Sequence, residues 1–167
     1  MPDATNLPLP GSAQVRRGTG EADLALALAV RWRVFVEEQG VPAELEHDEA
    51  DAISTHVLAE LAGQVVGTGR LVFDDDSARI GRVSVLPDFR HRGIGSQVVA
   101  ALEAEASARG FIEVTLHAQT YVQELYDKNG YAVSGPEFLE AGIDHVPMIK
   151  LLKPPELARN SSPRPVT

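Results

Sequence analysis

A short segment rich in arginine and glycine, residues 90–96, has the composition of a phosphate-binding loop. It reads Arg-His-Arg-Gly-Ile-Gly-Ser and lies between an alternating apolar segment that ends at Pro87 and a run of good helix formers from Ser96. The first turn of a helix has unpaired N–H groups and the positive end of the helix dipole, and glycine lets an anion approach the backbone closely. The predicted anion-binding residues are Arg90, His91, Arg92, Gly93, Ile94, Gly95 and Ser96.

The spacing in this segment excludes one common nucleotide loop and leaves a second one incomplete. A mononucleotide P-loop has a Lys-Ser/Thr pair after its last glycine, and this segment has none. The dinucleotide fingerprint needs a small residue three positions after Gly95, where Val98 stands. Glu113 has the spacing of the acidic residue in that fingerprint, but it falls inside the next predicted strand. A nucleotide-binding module therefore stays open as a minor alternative.

The remaining pattern, Arg90-x-x-Gly93-x-Gly95 between a strand and an amphipathic helix, resembles the acyl-CoA pyrophosphate loop of the GNAT superfamily of N-acyltransferases. The segment VFVEEQGVP, residues 34–42, resembles the N-terminal signature of a bacterial GNAT subgroup of small acetyltransferases. Three later segments are also similar to that subgroup, namely His117–Gln119, Leu125–Tyr131 and Phe138–Met148. The matching segments span residues 15–152.

The resemblance implies direct transfer of an acetyl group from acetyl-CoA, as co-substrate, to a primary amine of a small molecule or peptide. Backbone N–H groups from His91 to Ser96 would hold the pyrophosphate. The main chain of the preceding strand, at Val83, Ser84 and Val85, would pair with the pantetheine arm, while the two valine side chains belong to the core. Tyr126 stands where GNAT enzymes carry the tyrosine that protonates the departing thiolate, and tyrosine keeps its proton at neutral pH.

The general base is less clearly marked than the acid. The strand before the loop offers Arg82 and Ser84 in place of the glutamate that many GNAT relatives use. His117, at the end of the next strand, is the predicted base because imidazole titrates near neutral pH. His145 is a second candidate and is assigned to the acceptor side, and ordered water is the third possibility.

Three further polar residues are assigned to the ligands. Gln119 follows the same strand as His117, where a pantetheine or substrate amide would pass, and it is predicted to bind the cofactor; the alternative is a polar residue at a helix start. Glu37 and Glu38 lie at the end of the first predicted helix, on what the resemblance makes the acceptor side. Carboxylates there would favour a cationic amine, although a solvated helix end explains them as well.

No metal site is predicted. The chain has no cysteine, which excludes disulfides, thiolate metal sites and a cysteine nucleophile. The candidate oxygen and nitrogen ligands His47, Asp48, Asp51 and His56 lie in one acidic stretch without helical or paired spacing.

Periodicity and turn residues predict a mixed α/β sheet of six to seven strands with helices on both faces. The acidic segment 44–51 has no clear period and is predicted to be a loop. The hairpin between the second and third strands is placed at Ala62-Gly63. The predicted strands are 14–17, 56–61, 64–73, 79–86, 111–117, 131–134 and 146–152, and the predicted helices are 21–38, 95–109 and 121–128.

Length and charge limit the possible organisation and partners. The 167 residues suffice for one domain, placed at 14–153, and the polar, proline-rich segments 1–13 and 154–167 are predicted to be disordered tails. A net charge of −9 argues against a general nucleic-acid binder. The absence of a long apolar run and of a charged leader predicts a cytoplasmic protein that does not enter the membrane. A homodimer stays possible.

Two functions other than catalysis remain at this point. A non-catalytic sensor of acyl-CoA would use the same pocket to regulate a partner, and the uncertain base leaves room for it. A nucleotide-binding module would be stabilised more by NAD or ATP than by CoA.

Overall fold

Eight β-strands form one mixed sheet in the computed structural model, which describes residues 12–153. The strands are β1 (Gln14–Arg17), β2 (Thr55–Leu61), β3 (Gln64–Phe73), β4 (Ala78–Val85), β5 (Glu113–Gln119), β6 (Ala132–Val133), β7 (Phe138–Glu140) and β8 (Ile143–Leu151). The α-helices are α1 (Gly20–Arg31), α2 (Ala43–Glu46), α3 (Ile94–Ala108) and α4 (Gln123–Lys128). Helix α1 continues as a π-helix over Trp32–Glu38, and short 3₁₀ turns span Glu49–Ala52, Pro87–Phe89 and Thr120–Val122.

The strand order is β1-β2-β3-β4-β5-β8-β6, and β7 pairs with β8 outside this path. Neighbouring strands are antiparallel, except that β4 and β5 run parallel. A parallel pair needs a crossover connection, and here α3 supplies it. The loop of residues 90–96 therefore leads from the end of β4 into the crossover helix.

Helices cover both faces of the sheet, as the sequence predicts. The inner stripe of α3 consists of residues four apart, Ile94, Val98, Leu102 and Ala106, and all of them are buried. These side chains belong to the same apolar cluster as alternate residues of β4, β5 and β8. Helix α1 also packs against β2, β3 and β4. The middle of β3 is buried continuously from Val66 to Leu71, as expected for a strand with both faces covered.

Close packing of α3 on β3 depends on Gly69. A methyl group built on Gly69 would lie 2.8 Å from both Leu102 Cδ1 and Val98 Cγ1. We expect Gly69→Ala to lower the free energy of unfolding by about 1–3 kcal/mol, because the core must shift to admit the extra carbon. Gly81→Ala on the neighbouring strand is the control, since nothing lies within 4 Å of its added methyl. Urea unfolding of both variants tests this, and equal midpoints would contradict it.

The acidic segment that the sequence predicts to be a loop is instead partly helical. It overlaps α2 and the 3₁₀ turn Glu49–Ala52. The side chain of Asp48, directly before this turn, accepts a hydrogen bond from the Ala50 N–H. The carboxylates of this segment form ion pairs with a set of arginines. These ion pairs hold the segment in place, although it has no hydrophobic periodicity. The prediction of a loop here was wrong.

These arginines and carboxylates form a buried ionic cluster that fastens the connection between α1 and β2. Arg31 is fully buried and contacts Glu46 at 2.5 Å and Asp51 at 2.6 Å. Arg70, on β3, contacts Asp51 at 3.0 Å and the Asp48 carboxylate at 2.7 Å. Burial works to raise the pKa of Asp51, but hydrogen bonds and charge from Arg31 and Arg70 hold it well below its ordinary value. Asp51 therefore stays ionised at neutral pH.

The differences in the number of strands lie near the end of the chain. The sheet has eight strands because the short β7 forms a hairpin with β8, which itself begins at Ile143, three residues before its predicted start. Most of the predicted tails lie outside the described residues; of the two described residues of the N-terminal one, Ala13 is buried in the core. No helix within residues 12–153 is long and apolar enough to cross a membrane.

Candidate active site

The sheet opens into a cleft where β4 and β5 separate. The two strands pair only at Ala78 with Val114, Arg79 with Thr115 and Ile80 with Leu116. Beyond this point, residues 81–85 and 117–119 of the two strands have no partner in each other. The edges facing the cleft thus present main-chain groups that the sheet does not satisfy.

The main chain of Val83 and Val85 faces this cleft. The N–H of Leu86 donates to Val66 O of β3 at 2.8 Å, and successive residues of a strand alternate between its two edges. The main-chain N–H and C=O groups of Val85 and Val83 therefore point away from β3. The Val85 carbonyl accepts a hydrogen bond from Arg90 Nε at 2.9 Å. Ser84 pairs with Thr68 of β3, so two of the three predicted backbone contacts face the cleft and Ser84 does not.

A bulge in β4 turns Arg82 away from the strand's regular pattern. The register with β3 shifts between Thr68 and Arg70, and Arg82 has a left-handed φ of 53°. Its guanidinium donates to the Glu46 and Leu45 carbonyls at 3.2 Å each. Arg82 thus ties the wall of the cleft to the buried ionic cluster.

The loop after β4 presents a row of free N–H groups beside the cleft. Within the described chain, no backbone N–H from His91 to Ser96 donates a hydrogen bond to another residue, and the first bond of α3 runs from Gln97 N–H to Gly93 O. His91 and Gly93 have φ values of 63° and 79°, and no side chain caps the helix. The geometry is that of an anion-binding nest at a helix start.

The side chain of Arg90 contacts Glu38 at the protein surface. Its Nη1 and Nη2 atoms donate to the two Glu38 carboxylate oxygens at 2.7 and 2.6 Å. This hydrogen bonding lowers the pKa of Glu38. The prediction assigned these residues to two different ligands, whereas the structure places them in one ion pair. Glu37, in contrast, is exposed and contacts Arg33 at 3.5 Å.

A second link crosses from the end of the π-helix to the end of β5. The side-chain amides of Gln39 and Gln119 exchange hydrogen bonds at 3.2 and 2.9 Å, and Gln39 also donates to the Tyr121 hydroxyl at 2.7 Å. The sequence suggested that Gln119 lies just past the end of this strand, but Gln119 is the last residue of β5. Residues 38 and 39 together span the mouth of the cleft, from the loop after β4 to the tip of β5. Gln39 lies within the VFVEEQGVP segment, while nothing in the sequence singled out Tyr121.

Tyr126 lies on α4, which is fastened to the start of α3. Asn129 donates to Ser96 Oγ at 3.1 Å and to the Leu125 carbonyl at 2.7 Å, and Leu125 Cδ2 would lie 3.4 Å from a methyl on Gly95. The Tyr126 hydroxyl makes no hydrogen bond to any residue of 12–153. Burial raises its pKa above the ordinary value of 10, so the phenol keeps its proton. Asn129 was seen in the sequence only as a helix stop.

The two predicted histidines lie together at the tip of β5, around a carboxylate that the sequence analysis did not select. His117 Nδ1 is 3.3 Å from Glu140 Oε1, and His145 Nε2 is 3.7 Å from Glu140 Oε2. His117 is the first residue of β5 beyond its last pair with β4. Glu140 was hidden from sequence reasoning because β7, the strand that carries it, has only three residues.

The chain is similar to known acyltransferases in sequence and in fold. The chain matches a family model described as an acetyltransferase (GNAT) domain over residues 16–152. It is 42% identical over 134 residues to the uncharacterized N-acetyltransferase YjcF of Bacillus subtilis, covering 78% of this chain and 94% of the relative. An acyl-CoA N-acyltransferase from Pseudomonas aeruginosa has a TM-score of 0.74 and 27% identity, covering 83% of this chain and 99% of that chain. A GNAT family acetyltransferase from Elizabethkingia anophelis with acetyl-CoA bound has the same fold, with a TM-score of 0.64 and 17% identity over 84% of this chain and 99% of that chain.

Proposed function

The chain belongs to the GNAT acetyltransferase family, and we propose that it transfers an acetyl group from acetyl-CoA to a primary amine of a small molecule or peptide. The observation that carries this proposal is the cleft between β4 and β5 with the unpaired N–H groups of residues 91–96 beside it. An extended arm fits the open edge of β4, and a diphosphate fits the loop. Acetyl-CoA contains both.

The pyrophosphate would accept hydrogen bonds from the loop, each charge-assisted bond contributing about 1.5–3 kcal/mol. It would also compete with Glu38 for the Arg90 guanidinium, since both are anions beside the same cation. Once Arg90 turns to phosphate, the Glu38 carboxylate is left to face the acceptor. This charge change favours an amine that carries a positive charge.

The transfer itself needs a base on the amine and an acid on the sulfur. His117 takes a proton from the acceptor ammonium, and the amine then attacks the thioester carbonyl carbon. The C–N bond forms, the C–S bond breaks, and Tyr126 gives its phenolic proton to the departing thiolate. The attacking nitrogen loses its second proton to water, which restores the proton on Tyr126, and His117 returns its own proton to solvent. A free main-chain N–H of β4 would polarise the thioester carbonyl.

The direct test is titration of acetyl-CoA into the pure protein by calorimetry, followed by thiol release with a panel of polyamines, amino sugars, amino acids and peptide N-termini. We expect heat on binding and thiol release with at least one amine. Binding without release across the panel would favour a non-catalytic acyl-CoA sensor. No heat with acetyl-CoA would overturn the proposal.

Gly93→Ala should weaken acetyl-CoA binding by about tenfold, or about 1.4 kcal/mol. The added methyl would stand in open space in front of the loop, on a left-handed φ of 79° that alanine adopts at a cost. Gly110→Ala is the matched control, because Gly110 has a φ of 88°, equally open surroundings and a place at the opposite end of α3. Both variants should lose similar stability, but calorimetry should show weaker binding for Gly93→Ala alone. Equal affinities would remove the loop from the site.

A further inference from the structure

We infer that Glu140 is a positioning residue, which holds His117 with its Nε2 as the nitrogen that receives the proton of the acceptor amine. The inference rests on the proposed acetyl transfer and adds a residue to it. His117 and His145 approach the two oxygens of the Glu140 carboxylate.

The hydrogen-bonding chemistry of the carboxylate decides which His117 nitrogen carries the proton. An ionised carboxylate only accepts hydrogen bonds, so the contact between His117 Nδ1 and Glu140 Oε1 at 3.3 Å requires a proton on Nδ1. A neutral imidazole then has its lone pair on Nε2. A base needs this lone pair, and the carboxylate also stabilises the imidazolium that forms when Nε2 takes a proton.

His145 is held in a fixed orientation behind the carboxylate. Its Nδ1 donates to the Ile143 carbonyl at 2.7 Å, since a carbonyl oxygen can only accept, and its side chain is 9% exposed. This leaves Nε2 facing Glu140 Oε2 at 3.7 Å, a contact that is attractive when Nε2 is protonated. His145 is therefore held beside Glu140, and its Nε2 attracts the carboxylate only when the ring carries both protons.

The backbone and an aromatic ring keep the three groups in place. Glu140 pairs with Ile143 across a tight turn at Ala141 and Gly142, whose φ values of 50° and 76° are those of a type I′ hairpin. The Phe138 ring stacks on His145 with centroids 5.9 Å apart and meets the edge of His117 at 4.9 Å. A two-residue turn fixes strand register, and with it the position of Glu140 relative to His145 on the paired strand.

The place of the group in the sheet connects it to the reaction. His117 lies at the point where β5 leaves β4, and Gln119, two residues on, pairs directly with His145. The side chains of residues 117 and 119 share one face of β5, opposite the buried residues Leu116 and Ala118. His117 is thus on the face where Gln39 crosses the cleft.

Glu140→Gln tests the inference, with Glu137→Gln as the control because it removes the same charge three residues away, at an exposed site. The first measurement is imidazole ¹⁵N NMR on the pure protein, with and without acetyl-CoA. We expect His117 in the wild type and in Glu137→Gln to carry its proton on Nδ1. In Glu140→Gln, the amide can donate as well as accept, and the proton should spread over both nitrogens. A proton on Nε2 in the wild type, or no change in Glu140→Gln, would overturn the inference.

The second measurement is steady-state kinetics with the best amine of the panel. Glu140→Gln should lower kcat by about tenfold with an unchanged KM for acetyl-CoA, while Glu140→Asp should recover part of the rate. A fall in kcat shared by Glu137→Gln would also count against the inference. If no amine reacts, the proposed function fails, whereas the NMR result still decides whether Glu140 sets the His117 tautomer.

Discussion

Tyr126→Phe should lower kcat by about 100-fold while leaving acetyl-CoA affinity unchanged, because phenylalanine keeps the ring and removes the proton that the thiolate needs. The Tyr126 hydroxyl makes no hydrogen bond within the described residues, so its removal leaves no partner unsatisfied there.

The raised pKa of Tyr126 also predicts how kcat depends on pH. Since burial raises the pKa above 10, loss of the acid form should not reduce kcat anywhere below pH 10.

Tyr131→Phe provides the matched control for this experiment. Tyr131 packs edge-on against Tyr126 with ring centroids 5.7 Å apart, and its hydroxyl donates to Glu103 at 3.0 Å. Its loss should affect stability and leave the chemical step intact. Thiol release and calorimetry on both variants separate turnover from binding. If Tyr126→Phe lost affinity and kcat to the same extent, the acid role would be wrong.

Arg31→Met should lower the free energy of unfolding by about 3–5 kcal/mol, because it leaves buried carboxylates without their main partner. Among the described residues, Glu46 would keep only the more distant Arg82, at 3.6 Å, and Asp51 would keep Arg70 at 3.0 Å. Methionine fills much of the same volume, so the loss reports on charge more than on packing. Urea unfolding, with its midpoint and slope, measures the effect.

Arg33→Met is the control for the ionic cluster, since Arg33 is 55% exposed and its contact with Glu37 lies on the surface. That variant should stay within about 0.5 kcal/mol of the wild type.

The ionic cluster should also make stability depend on pH. The pKa of Asp51 is lowered in the folded state, so the stability that Asp51 contributes is present above the ordinary pKa of 3.8 and is lost as the pH falls below that value. Arg31→Met should therefore also weaken the dependence of stability on acid. A loss no greater than that of Arg33→Met would contradict this account of the cluster.

Much of the fold could be predicted because its elements carry strong local signals. The stripe of α3, the hairpin at Ala62-Gly63 and the glycine stop at Gly110 each follow from periodicity or from a residue that accepts a left-handed φ. The loop of residues 90–96 was predicted for the same reason, because Gly93 marks a left-handed turn directly before α3.

The contacts that assemble the site could not be predicted in the same way. The pair of Glu38 and Arg90 joins residues 52 positions apart, and the pair of Gln39 and Gln119 joins residues 80 positions apart. Single polar residues have no period, so only the folded chain shows which of them meet. Glu140 was missed because its strand is too short to give a pattern.

The separation of β4 and β5 divides the sheet into two halves, which are joined at one end by three residue pairs. A thioester arm lying along the open edge of β4 would serve as an additional strand and would supply hydrogen bonds that the polypeptide leaves unmade. The co-substrate would then be part of the fold, and a hundredfold excess over its dissociation constant would add about 2.7 kcal/mol to stability. A cell depleted of acetyl-CoA would hold this protein in a form that unfolds more readily.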